Sequence, residues 1–128
     1  MESLELEDDD CNKIYQTAGN IVRIGRSLSI DLLDAKVHNC QVNDPHVTIL
    51  FRQNPVWTDK ELEFVQQKRD EYLTQHNISS VQFTTQGWGP NSLLIIGDEF
   101  NDYARFLMSS YTQWQQDRPL HVTIRHRK

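Results

Sequence analysis

Two histidines and two threonines carry the chemistry this chain can offer. They stand in one tetrapeptide that occurs twice, His46-Val47-Thr48-Ile49 and His121-Val122-Thr123-Ile124. An unperturbed imidazole titrates near neutral pH, so one ring can take a proton while a second, protonated ring gives one up. Hydroxyls beside the rings can donate hydrogen bonds to oxygens that gather charge in a transition state. Such a set suits cleavage of a phosphodiester. One imidazole activates water or a ribose hydroxyl, the other protonates the departing oxygen, and the Thr hydroxyls meet the non-bridging oxygens. Which ring takes which part stays open at this level. The chemistry requires no metal or cofactor, and the sequence offers no carboxylate cluster to hold a metal.

The elements that must position these groups follow from the same residues. Val, Thr and Ile are β-branched and favour a pleated, half-buried surface, so each copy reads as a strand. Side chains alternate across a strand. His and Thr therefore share one face, and Val and Ile anchor the opposite face in a core. Pro45 leads into the first copy and Pro119 into the second. A single His-x-Thr is weak evidence, whereas two identical copies set well apart, both in strand context, are a much stronger signal.

The two motifs, each followed by a hydrophobic residue, resemble the signature of the 2H phosphoesterase superfamily, the RNA ligase/cyclic nucleotide phosphodiesterase-like proteins. The resemblance covers about Pro45 to Arg125 and assigns His46, Thr48, His121 and Thr123 as catalytic. It implies an α+β fold of two pseudo-symmetric lobes, each an antiparallel sheet with outer helices, around a central cleft. It also implies a metal-independent phosphodiesterase acting on a small or terminal nucleotide. The candidates are a 2′,3′-cyclic phosphate, a 2′,5′-oligoadenylate, a cyclic oligonucleotide messenger or an RNA 3′-end. Two rivals stand beside it: a non-catalytic nucleotide- or RNA-binding module of the same fold, and an interaction protein docking through an aromatic helix.

Four residues outside the motifs are candidates for substrate binding. Trp88, between two glycines, can stack on a nucleobase or anchor its loop, and Tyr15 is a weaker case of the same kind. Arg52 and Arg125 follow the motifs with the parity of His46/Thr48 and His121/Thr123, so they can meet phosphates at the cleft rim or stand solvated. His38, His76 and His126 read as hydrogen-bonded, non-catalytic residues. Tyr111 and Trp114 belong to a helical stripe and read as core. Cys11 and Cys40 lack C-x-x-C spacing and read as plain thiols.

Bulk properties narrow the partners. The chain has 128 residues, enough for one domain over 12–128 behind an acidic flexible tail over 1–11. Its net charge of −5 argues against a long duplex, whose binding needs a basic face. No apolar run reaches the roughly 18 residues of a membrane span. The acidic start is neither a secretory signal nor a transit peptide, so a cytoplasmic location is expected.

Along the chain, 13–24 suggests a hairpin turning at Ala18-Gly19-Asn20, and Ser27 or Ser29 caps a short helix reaching Val37. The first motif strand runs from His46 to Arg52. Thr58 and Glu61 form a capping box that opens a helix ending near His76-Asn77. Val81 to Thr85 and Leu93 to Ile96 are strands around a Gly87–Asn91 loop. Asp98 caps a second helix carrying Phe100, Tyr103, Leu107, Tyr111 and Trp114.

Overall fold

Alternation of buried and exposed side chains marks several strands of the computed structural model, which describes residues 13–37, 40–111, 114 and 119–125. The elements in order are β1 (Tyr15–Thr17), β2 (Ile21–Ile24), β3 (Ser27–Asp31), a 3-10 turn (Leu33–Ala35) and β4 (His46–Phe51). There follow α1 (Asp59–Gln75), β5 (Val81–Trp88), β6 (Ser92–Ile96), α2 (Asp98–Leu107) and β7 (His121–Thr123). All seven strands join one antiparallel sheet in the order β1-β5-β6-β7-β4-β3-β2.

One face of this sheet is apolar. Leu28 and Ile30, Val47 and Ile49, Val81 and Phe83, Ile95 and Val122 all turn to it and are buried. Both helices pack there, α1 against β2 and α2 against β5, with the two helices touching each other. Phe100, Tyr103, Ala104 and Leu107 are the buried stripe of α2, and Val65, Tyr72 and Leu73 that of α1. The opposite face carries the motif histidines and threonines. The protein is thus α+β, as the residue pattern predicts, built on a single continuous sheet.

Several local expectations hold. The capping box forms, with Glu61 N–H donating to Thr58 Oγ1 at 3.2 Å and Thr58 N–H donating to the Glu61 carboxylate at 3.3 Å. Asn77 adopts a left-handed backbone at φ 54 just past α1. Pro45 immediately precedes β4.

Others are corrected. Residues 27–31 form β3 instead of a helix, because Leu28, Ile30 and Leu32 bury themselves at every second position, a strand period. Gly25, at φ 59, makes the tight turn from β2 to β3. The hairpin over 13–24 does not form. β1 pairs with β5 at one edge and β2 with β3 at the other, so Ala18–Asn20 crosses between edges. Three residues reach little more than a dozen ångströms, so the sheet must curl to bring its edges together. Thr17 Oγ1 donates to the Asp31 carbonyl at 3.1 Å across that closure.

Strand β5 continues to Trp88, which moves the loop to its tip at Gly89–Asn91. Gly97, not Asp98, is the N-cap of α2, and no side chain caps it. The helix ends at Leu107, with Ser109 Oγ donating back to the Phe106 carbonyl at 2.9 Å. Tyr111 and Trp114 still pack on the core from beyond the helix. The expectations for the acidic tail, Cys11, His38 and His126 lie outside the described residues. Among the described residues no helix is long and apolar enough to cross a membrane.

Candidate active site

β4 and β7 are neighbours, and their register is fixed by Val47 opposite Val122. Both valines are 0% exposed, which pins the pairing from the core side. One position either way, the antiparallel register sets His46 beside Thr123 and Thr48 beside His121. The four groups form the corners of a small rectangle on one face. The rings hold one diagonal and the hydroxyls the other. Sheet geometry spaces such diagonal positions by roughly 7–8 Å. His46 and His121 are half-buried, Thr48 and Thr123 exposed.

Neighbouring strands widen this into two rows. Asp31 pairs with His46, Ser92 with Thr123 and Trp88 with Ser92. Ser29 pairs with Thr48, Leu94 with His121 and Gln86 with Leu94.

The two imidazoles are held differently. His46 Nδ1 lies 2.8 Å from the backbone carbonyl of Asp44. A carbonyl only accepts, so Nδ1 carries a proton and Nε2 is the nitrogen left to exchange one. His121 lies against Trp88, ring centroids 4.6 Å apart at 59°. Trp88 remains 43% exposed, with free surface beside that ring.

Hollows flank the rectangle. A cavity of about 450 Å³ lies on the His46 side, walled by Val22, Ile24, Leu33, Val42 and Pro45, with Asp31, Asn43 and Asp44 among its polar groups. A shallower depression of about 500 Å³ lies on the other side, bordered by Trp88 to Ser92 and by Arg125. Thr123 lines both. Thr48 and His121 border a third, small hollow of about 80 Å³ with Phe51 and Trp114.

Of the candidates read from the sequence, the fold brings together His46, Thr48, His121, Thr123, Trp88 and Arg125. It does not bring Tyr15 or Arg52 to them. Tyr15 is 2% exposed on the apolar face, stacked on Phe83 at 5.4 Å. Arg52 is turned away by a bulge. Ser29 pairs with Thr48 but Leu28 with Leu50, so Ile49 is an extra residue and the side-chain alternation reverses beyond it. The guanidinium then reaches the helix side. It lies over the Trp57 ring at 3.9 Å, donates from Nε to the Pro55 carbonyl at 2.7 Å, and pairs with Glu61. The hydrogen bond from Arg52 holds the Glu61 carboxyl below the usual carboxylate range, and a backbone bond from Thr58 adds to it.

His76 stands elsewhere, stacked on Tyr72 at 4.1 Å with Nδ1 2.9 Å from that residue's carbonyl. Asp31, Asn43, Asp44 and Ser92 are the residues near the rectangle that sequence reasoning missed. Strand pairing brings Asp31 and Ser92 there, and no local pattern announces it. Asp44 stands just before Pro45 and belongs to no motif of its own. Among the described residues no group of three His, Cys, Asp or Glu side chains is placed to hold a metal ion. Compared with family models, curated proteins and solved structures, the chain shows no match.

Proposed function

We propose that this chain is a metal-independent phosphodiesterase of the 2H type, cleaving a small or terminal nucleotide phosphodiester. One observation carries the reading: the Val47–Val122 register, which sets two imidazoles and two hydroxyls on one face of adjacent strands. A phosphorus centred over the rectangle has a ring on either side along one diagonal. That is the arrangement in-line displacement needs. The hydroxyls on the other diagonal are free to donate to the non-bridging oxygens.

In hydrolysis the neutral ring takes a proton from water as its oxygen bonds to phosphorus. The imidazolium gives its proton to the leaving oxygen as the old P–O bond breaks. The rings end with exchanged protonation states and reset through solvent. For His46 the exchanging nitrogen is Nε2, because Nδ1–H is committed to Asp44. Trp88 offers a stacking surface beside His121, and Arg125 a positive charge near Thr123.

The two-lobe organisation implied by the resemblance belongs to this proposal. It is supported by strand order: β4, β3 and β2 step outward on one side, and β7, β6 and β5 on the other. A cytoplasmic location and a nucleotide or RNA-end substrate go with it.

The test is a panel of 2′,3′-cyclic nucleotides, 2′,5′- and 3′,5′-linked oligonucleotides and cyclic dinucleotides, assayed in chelator with products resolved by mass. Wild type should cleave at least one, and His46→Ala or His121→Ala should each slow it about 10²–10⁴-fold. Equal turnover by wild type and both variants sinks the assignment. Binding without turnover moves the chain to the rival, a module that retains nucleotide without cleaving it.

A further inference from the structure

The cavity beside His46 has a composition that does not suit a phosphate. Two acidic residues, Asp31 and Asp44, border it, Asp31 with Oδ1 already accepting the Leu33 N–H at 2.9 Å, and its walls are aliphatic side chains from β2, the 3-10 turn and the approach to β4. A phosphate would be repelled. A flat, apolar-faced ring bearing N–H donors on its edge would be held by both features. Its size, about 450 Å³, lies within the ordinary range for a small-molecule site.

We propose that this cavity is a nucleobase subsite that selects guanine, read through the carboxylate of Asp44 with Asp31 alongside. The inference deepens the phosphodiesterase reading and rests on it for the position of the phosphate. The base chemistry decides the choice. A carboxylate is acceptor-only and best met by two parallel N–H groups. Guanine presents N1–H and N2–H side by side on one edge. Adenine and cytosine set an acceptor nitrogen next to their amino group, which would face the carboxylate with a lone pair. Uracil has one N–H between two carbonyls.

Charge then orients the substrate. The guanosine lies on the His46 side, its phosphodiester bridges the rectangle, and the group beyond the phosphorus extends towards Trp88 and Arg125. The residue that reads the base also holds the ring that moves the proton, since the Asp44 carbonyl receives His46 Nδ1–H. Occupancy of the cavity and the placing of Nε2 are thereby coupled.

The experiment measures binding of guanosine, adenosine, cytidine and uridine 3′-monophosphates to the full chain by titration calorimetry, with no cleavage involved. Guanosine monophosphate should bind at least about tenfold more tightly than the other three, the scale of one bidentate contact. Asp44→Asn should bring the four to near parity. Leu33→Trp, at an exposed position that borders the cavity, should weaken guanosine monophosphate by narrowing it and leave the fold intact by circular dichroism. Equal affinity for all four bases in wild type overturns the subsite, and so does an unchanged guanine preference in Asp44→Asn. The two proposals fail separately. A guanine preference lost in Asp44→Asn, with no substrate cleaved, removes the catalytic reading and keeps the subsite. Cleavage indifferent to the base, with no binding preference, removes the subsite and keeps the enzyme.

Discussion

The same four residues, His-Val-Thr-Ile, sit in two unlike settings. In β4 they begin a six-residue strand, paired on one side along five positions of β3. In the second copy only His121–Thr123 are strand, the whole of β7, joined to β4 at the Val47–Val122 pair and to β6 at three positions. His46 is tethered by a backbone carbonyl and neighbours a carboxylate, whereas His121 leans on an indole. The arginine that follows each copy differs most. Arg125 stays at the site and Arg52 is turned to the far side of the sheet. Identical local sequence fixes which face a group occupies. The neighbouring strands decide what it can do there.

The largest expected effect tests whether the two copies act as one unit. If the rings share a single phosphorus, His46→Ala/His121→Ala should be no slower than the worse single variant, because either loss already disables the step. Measured kcat/KM that falls by the product of the two single effects would mean two independent sites.

The next effect is on stability. Val47→Ala and Val122→Ala should each cost about 2–3 kcal/mol by denaturant titration, since both side chains are fully buried. Amide exchange should separate the strands. Val122, in the three-residue strand, should exchange faster than Val47 in native-state hydrogen exchange. Equal protection would say that β7 is held as firmly as β4.

The arginines give a split of roughly the same size. Arg52→Ala removes a charged hydrogen bond and a ring contact from a largely buried guanidinium, so it should cost about 2 kcal/mol and leave KM unchanged. Arg125→Ala should raise KM, more so at low salt, with stability within about 0.5 kcal/mol of wild type. Kinetics and thermal melts on both variants would expose a swap of these roles.

The smallest effect concerns pH. Glu61 titrates below its usual range in the folded chain, so its bond to Arg52 stabilises above the ordinary carboxylate pKa and fades as pH falls through the lowered value. The stability difference between wild type and Glu61→Gln should therefore shrink in acid. A gap that is constant from pH 7 to pH 3 would contradict this.

Much of the site's identity was legible, because the motif, its strand character and its two faces all follow from β-branching and period two. Thr58 with Glu61, and Asn77, were legible for the same reason: caps are local. What the chain concealed was non-local. Nothing in Ser27–Val37 says that Leu28, Ile30 and Leu32 have strands on either side, and a helix is the natural guess when Ser and Leu recur. Nothing in His46–Arg52 announces a bulge at Ile49, so parity counted straight through carries Arg52 to the wrong face. The aromatic stripe ran on past Leu107 because Tyr111 and Trp114 pack on the same core without a helix to carry them. Asp44, two residues before His46, gained meaning only once His46 was seen to lean on its carbonyl.

The short crossing at Ala18–Asn20 reaches further than its length suggests. Its backbone is gripped from three directions: the Asp34 carboxylate takes Ala18 N–H at 2.8 Å, Arg69 Nε–H donates to the Ala18 carbonyl at 2.9 Å, and Tyr103 Oη–H donates to the Gly19 carbonyl. A methyl group at Gly19 would sit 2.6 Å from the Tyr103 hydroxyl, on a backbone already at φ 72. The crossing works as a drawstring between the rims of the sheet. By tying the rims it holds the curl of a sheet whose central strands, β7 and β4, carry the two imidazoles. Arg69 and Tyr103, both on the helices, thus hold the closure of the sheet from the side opposite His46 and His121.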